Sequence, residues 1–238
     1  SAGNDFDSDI NGAPYPSGSI CGNDANNGLS CHDVNLDPLH KYPTVFVVGA
    51  IAADGKKSSY SSVGSSIWIS APGGEVGKHT NYFGAAAGVD VEPAIMTTDL
   101  QSCSKGYVNQ YKYNSFNDSD APHSENSSCN YTSVFNGTSA AAPVLSGVIA
   151  LMLEANSSLT WRDVKHILVS TARQVDTSFN TISLNGVDYH KWITNSAGFK
   201  FHNYYGFGAV DAEAAVNAAL SYNANSLGTQ NYLSWVSS

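Results

Sequence analysis

The chain has 238 residues, enough for one sizeable domain with a buried core, and nothing in it repeats at a solenoid period. Acidic residues outnumber basic ones 20 to 11, and the formal charge of −9 speaks against nucleic-acid binding and leaves no basic patch for an anionic membrane. No apolar run reaches the length of a membrane span, and the sequence opens with neither Met nor a leader, which reads as a mature or excised piece.

In chain order, residues 5–35 are rich in Asp, Asn, Gly and Ser and predict a long loop. Asp5, Asp7 and Asp9 would point to one side of an extended chain, which suits either a hard cation or a solvated acidic loop; there is no EF-hand spacing. Pro43 to Ala52 is a continuous apolar, β-branched run, as expected of a parallel strand buried on both faces. A second strand is predicted from Ser66 to Ala71, stopped by Pro72-Gly73-Gly74, and a third from Ala94 to Thr97. Residues 101–133 are polar and read as a surface insertion. The apolar run from Val144 to Ala155, with small residues ahead of it, predicts a buried helix beginning at Ser139. Thr160 should cap a further helix through about Ala172, with Asp163 completing a capping box and Val164, Ile167, Leu168 and Thr171 forming its apolar face. Phe199 to Val210 suggests a glycine-interrupted hairpin, and Asp211 should cap a last helix, Ala212 to Leu220. Strands alternating with helices indicate an α/β layer fold. The tail from Asn223 is polar and linker-like.

The four cysteines fall as two local pairs, Cys21/Cys31 and Cys103/Cys129, none with Cys-x-x-Cys spacing, so zinc is not expected. An even number in a polar chain suggests an exported protein, secreted or periplasmic, with two disulfides; of three possible pairings the nearest-neighbour one is the natural choice, and four free thiols is the alternative. Asn117, Asn126, Asn130, Asn136 and Asn156 head Asn-x-Ser/Thr triplets, which we take as chance occurrences.

The most informative stretch runs from Phe135 to Pro143. It sets Ser139 between a glycine turn and the apolar helix, where unpaired N–H groups and the positive end of the dipole favour negative charge on a reacting oxygen. Pro143 is acceptable in a first turn, where N–H groups have no helical partner. A capping serine ahead of a core helix explains the same residues without chemistry.

Gly137 to Pro143 resembles the nucleophile signature Gly-Thr-Ser-x-Ala-x-Pro of the subtilisin-like serine proteases. Leu153-Glu154-Ala155-Asn156 followed by Leu159 to Val164, Met96 to Leu100, and Tyr204 to Asp211 are similar to the kexin/furin branch, in that family's order, and a bacterial member is expected. The resemblance implies a subtilisin-like fold with a largely parallel central sheet flanked by helices, of which residues 1–222 would be the C-terminal part. Residues 223–238 would lead toward a P domain. It implies Ser139 as nucleophile, with Asn4, in Ser1-Ala2-Gly3-Asn4, donating to the oxyanion beside the Ser139 N–H; taken alone, Asn4 reads as a turn residue.

The family's catalytic Asp and His precede the oxyanion asparagine, and none of the seven histidines here (His32, His40, His79, His123, His166, His190, His202) is followed by Gly-Thr. The isolated chain is therefore expected to be inactive, with the missing half supplied as a partner, together with a P domain, chaperone or propeptide. Asp37 matches the carboxylate that reads Lys or Arg at P1, although Pro38 replaces the family's glycine; a solvated loop aspartate is the alternative. A structural calcium is also implied, but the acidic residue the family has after Tyr-Ser is Ser62 here, following Tyr60-Ser61. The competing functions are an inactive subtilase-derived binding module and an esterase of another fold; the absence of Gly-x-Ser-x-Gly speaks against the latter.

Overall fold

The computed structural model describes residues 1–6, 21, 28–30, 32–75, 77, 93–110 and 114–228. Strand β1 (Val47–Ile51) is buried along its whole length, and β2 (Ile67–Pro72) runs parallel to it, with Val48 opposite Ile69 and Ala50 opposite Ala71. The far edge of β2 bridges in parallel to Ala209, and the Ala2 N–H donates to the Val48 carbonyl on the other edge of β1. Apolar residues at every position of β1 are what a strand covered on both faces requires.

The third strand, β3 (Ile95–Thr98), pairs antiparallel with β4 (Tyr131–Phe135). Residues 101–133 were expected to be insertion throughout, so the first residues of β4 are a correction. Tyr131 to Ser133 is short and polar, and only pairing with distant Thr97 and Thr98 makes it a strand. The insertion carries the short helix α1 (Gly106–Gln110) and is closed by the disulfide Cys103–Cys129. Cys21 is also disulfide-bonded, whereas Cys31 lies outside the described residues. Buried Asn117 stitches the insertion to β4: its amide donates to Thr132 Oγ1 (2.8 Å), and its Oδ1 accepts from Ser133 N–H and Oγ. The amides of Asn126, Asn136 and Asn156 are likewise spent on backbone carbonyls, so in the folded chain these triplets present no free acceptor for a glycan.

Helix α2 (Thr138–Ala155) lies over the parallel pair, packing Ala141, Leu145, Val148 and Met152 against Val48, Ala50, Ile69 and Ala71. Helices α3 (Trp161–Thr171) and α4 (Ala212–Ser221) complete this core with Val164, Ile167, Leu168, Ala215 and Ala219. The small residues at the start of α2 let its backbone approach the sheet. Pro143 is a correction: it falls inside the helix at the sixth residue, not in the first turn. Its missing N–H is the one that would have bonded the Ser139 carbonyl. The side of α2 away from the sheet stays open, with Val144, Leu151 and Leu153 exposed by 37%, 50% and 38%.

The predicted capping box of α3 is present, with Thr160 and Asp163 bonding reciprocally, and Asp211 caps α4 through the Ala214 N–H. Periodicity gave no warning of Lys165, which turns inward on α3. Its Nζ donates to the Val45 carbonyl (2.8 Å) and stands 4.3 Å over the Trp68 ring, and burial brings its pKa down to about 8.

Two hairpins were not foreseen: β5 (Ile182–Leu184) with β6 (Val187–His190), and β7 (Ile193–Thr194) with β8 (Lys200–Phe201). The glycine-interrupted hairpin expected over 199–210 is present as a tight reversal, with His202 bridging antiparallel to Gly206, and its outer residues pair elsewhere. Phe201 pairs with Ile193, while Ala209 turns back to bridge Ser70 and Arg173. The sharp reversal at Gly206 and Gly208, both at positive φ, separates the two pairings. Residues 223–228 fold back on α3, where Asn225 N–H donates to Asp163 and Arg162 donates to the Leu227 and Gly228 carbonyls.

A second cluster gathers Phe6, Ile51, Val63, Tyr204 and Tyr205 around the buried rings of His190 and His202. The Tyr204 N–H donates to His202 Nδ1 (3.0 Å), which fixes that ring as a neutral acceptor. Burial lowers both histidines to about 4, helped at His190 by the Lys57 charge and at His202 by His190. Their neutral forms favour the fold, so this stability is full above the unfolded value of 6.5 and is lost as pH falls from there through 4. Thermal melting should therefore show a midpoint that drops across that window, and His202→Phe should flatten the drop; an unchanged slope in the variant would remove His202 as a cause.

Candidate active site

The site is assembled where the first residues of the chain meet the start of α2. Ala2 is held against β1, and the Gly3 carbonyl accepts from the Ser62 N–H (3.0 Å), so the backbone is fixed on both sides just before Asn4. The Gly3 N–H donates to Thr138 Oγ1 (3.2 Å). Asn4 Oδ1 in turn accepts from both the Thr138 N–H and Thr138 Oγ1, each at 2.9 Å. Two donors on one atom settle which end of the amide is oxygen. The Nδ2 group is left as the outward donor, 3.1 Å from where a Cβ on Gly137 would stand.

Gly137 is the N-cap of α2, with φ 105° and ψ 164°, and has no side chain of its own to cap the helix. An L side chain is strained at that φ and would also press on Asn4, so the turn needs glycine. Thr138 is buried, and Ser139, the second helical residue, is exposed. Its N–H belongs to the first-turn donors that have no helical partner. The predicted pair thus comes together: an exposed hydroxyl at a helix N-terminus, with a side-chain amide donor anchored to the residue before it. Such a group can hold negative charge developing on an oxygen bound beside Ser139. Among the described residues no His, Asp or Glu is hydrogen-bonded to the Ser139 hydroxyl.

Asp37 stands apart from this pair. It links two 3₁₀ turns, Val34–Leu36 and Pro38–Lys41, accepts the Leu39 N–H (2.8 Å) and lies 3.7 Å from His40 Nε2, with 43% of its side chain exposed. No hydrogen bond or ion pair among the described residues joins it to Ser139 or Asn4. Its turn is nevertheless a neighbour of the site, because Val34 packs with Ala2, Val47 and Ile67 in one small cluster.

A family model described as the Subtilase family matches residues 1–208. The chain belongs to the subtilase family. This subtilase is 36% identical over 204 residues to the Aeromonas extracellular serine protease of Aeromonas sobria, covering 82% of this chain and 31% of that protein. It is 35% identical over 166 residues to proprotein convertase subtilisin/kexin type 6 of Rattus norvegicus, covering 66% of this chain and 16% of that protein. The crystal structure of the serine protease of Aeromonas sobria superposes with a TM-score of 0.69 over 82% of this chain and 32% of that one, at 36% identity. A structure of that protease in complex with a chaperone gives 0.66 at 34% identity, with the same coverage. The subtilase chain therefore spans about a third of the length of these Aeromonas relatives. These matches bear out the resemblance to the subtilisin-like family, with kexin-like proteins among the relatives, and the α/β fold.

Thr138 was overlooked in the sequence, though its hydroxyl in Gly137-Thr138-Ser139 was visible as a group able to pair. Tyr60 accepts the Gly137 N–H on its hydroxyl (2.8 Å), a contact with no local signal in the sequence. The calcium expectation meets Ser62, which is fully buried with its Oγ accepting the Asp5 N–H (3.0 Å). A neutral hydroxyl already engaged supplies no anionic oxygen, so this position does not fit a calcium ion. Asp7 and Asp9 lie outside the described residues, and Asp5 sits 4.0 Å from His32 Nε2.

Thr138→Val keeps the shape of the side chain but removes the donor to Asn4 and the acceptor for Gly3. The Gly3 N–H is left unpaired and Asn4 Oδ1 keeps only the Thr138 N–H, which should destabilise the fold by about 1–3 kcal/mol. Urea unfolding measures it, and a midpoint equal to wild type would show that the knot carries no stability.

Proposed function

We propose that this subtilase chain is the C-terminal part of the catalytic domain of an exported serine endopeptidase that cleaves after Lys or Arg. The observation that carries the reading is the Ser139–Asn4 arrangement, a nucleophile position and an oxyanion donor locked together through Thr138. In this reading the Ser139 Oγ attacks the scissile carbonyl and its proton passes to a histidine outside this chain, itself held by an aspartate. The oxygen that becomes negative is met by Asn4 Nδ2 and the Ser139 N–H. The tetrahedral species breaks its C–N bond, the amine leaves with the proton returned by that histidine, and an acyl-enzyme remains on Ser139. Water, deprotonated by the same histidine, then attacks the ester and releases the acid, the proton returning to Ser139 Oγ.

The open face of α2 supports a second half of the domain packing there. Val144 and Leu151 sit on the side of the nucleophile helix that the sheet does not cover. The relatives support protease chemistry and export, since one is named an extracellular serine protease, and its complex with a chaperone supports a folding partner of that kind for this protein. A P domain completes the expected full-length enzyme. For P1, the half-exposed Asp37 carboxylate, which also meets the Leu39 N–H and His40 Nε2, would pair with a guanidinium or ammonium on its exposed side.

In the full-length enzyme, a fluorophosphonate probe should label Ser139, and Ser139→Ala should abolish both labelling and peptide cleavage. An unlabelled wild type would return the chain to the inactive binding-module reading. Asn4→Ala should lower kcat by about 10²–10³, a magnitude taken over from the equivalent asparagine of subtilisin, with KM little changed. Asp37→Asn should erode the preference for Lys and Arg over neutral residues at P1 in a peptide library; an unaltered profile would take Asp37 out of the pocket.

A further inference from the structure

The amide before the nucleophile turn is held by a side chain with no place in the scheme above. The Gly137 N–H donates to the Tyr60 hydroxyl (2.8 Å), with a longer approach to the Gly73 carbonyl (3.2 Å). The single proton of the same hydroxyl is shared in the other direction between the Gly74 carbonyl (2.6 Å) and the Gly73 carbonyl (2.8 Å). One oxygen therefore joins three segments: the 58–60 turn, the Gly73-Gly74 turn that ends β2, and the entry to α2. Ser58 Oγ donates to the Gly74 carbonyl (2.7 Å), and the Asn136 amide to the Glu75 carbonyl (3.1 Å), so the junction is braced on both flanks. A Cβ on Gly73 would stand 2.9 Å from the Gly137 carbonyl, which shows how closely the two turns approach.

We propose that the Tyr60 hydroxyl is a positioning group for catalysis, fixing the Gly137 peptide and through it the oxyanion donors. Gly137 has no side chain and the widest backbone freedom of any residue, so its conformation must be imposed from outside. The two peptides around it are held by different partners: the one before by Tyr60, the one after by Asn4 through the Thr138 N–H. Rotation at Gly137 would swing the Thr138 N–H off Asn4 Oδ1. That would release Asn4 Nδ2 and turn the Ser139 N–H away from the oxygen both must meet. Burial pushes the phenol up to about 12, so it stays protonated and able to accept and donate at once over the working range. The proposal rests on the protease reading and adds a residue that does not touch substrate.

Tyr60→Phe in the full-length enzyme is the test, because it removes only the oxygen. A loss of about tenfold in kcat, with KM within about twofold of wild type, is expected, since one hydrogen bond of orientation is worth roughly that factor. Fluorophosphonate labelling of Ser139 should slow by the same factor, and the Gly137 amide should exchange faster with deuterium. Wild-type labelling with an equal rate in Tyr60→Phe would overturn this proposal while leaving the protease reading standing. A wild-type enzyme that is not labelled at all would overturn both. A variant that loses its melting transition would make the hydroxyl a purely structural group and overturn the positioning role.

Discussion

The constraint on which the rest of this structure depends is the contact between Asn4 and Thr138, 134 residues apart in the chain. A side-chain oxygen of a residue beside β1 accepts both donors of the residue that opens α2. Each hydrogen bond is worth about 1 kcal/mol net, which is modest as stability. Its structural consequence is larger, because the start of the chain, the parallel strands and α2 must all be in register for it to form. The Asn4 amide and the Ser139 hydroxyl are then neighbours as a by-product of folding.

The helix N-terminus is unusual in being uncapped by its own preceding side chain. Capping serines, threonines and aspartates normally meet the first-turn N–H groups. Here glycine stands at the cap and a distant asparagine takes one donor, leaving the next N–H, that of Ser139, open toward solvent. Pro143 adds to this by withholding the N–H that would have bonded the Ser139 carbonyl. Both departures from a well-made helix fall within one turn or so of the serine. The N-termini of α3 and α4 are conventional, as the capping box at Thr160 and Asp163 and the cap at Asp211 show. Local rules are broken beside Ser139 and kept at those two helices.

The two clusters on either side of the sheet divide the labour. The aliphatic one, between β1, β2 and helices α2 to α4, sets the position of the nucleophile helix. The aromatic one, around Tyr204, Tyr205 and the buried histidines, anchors the irregular segment that returns through Ala209 to the far edge of β2. Lys165 sits at the margin of the first, its charge facing Trp68 and the Val45 carbonyl rather than water.

Sequence by itself determined the elements whose signal is local. The apolar runs at β1 and β2, the capping pair at Thr160 and Asp163, the Asp211 cap and the Gly-Thr-Ser stretch can all be read from neighbours a few residues apart. Family membership was legible for the same reason, since it rides on contiguous motifs. Tertiary structure alone decided the features made by contacts across long separations. Tyr131 to Phe135 is a strand only because Thr97 lies opposite, Phe201 takes Ile193 rather than the residues after it, and Lys165 finds its aromatic partners on another element. The same holds within the site. Ser139 and Asn4 could be named from the chain, but the Thr138 hydroxyl that joins them and the Tyr60 hydroxyl that holds Gly137 became visible only when distant segments were packed. A hydrogen bond between residues 77 apart leaves no periodicity in a sequence.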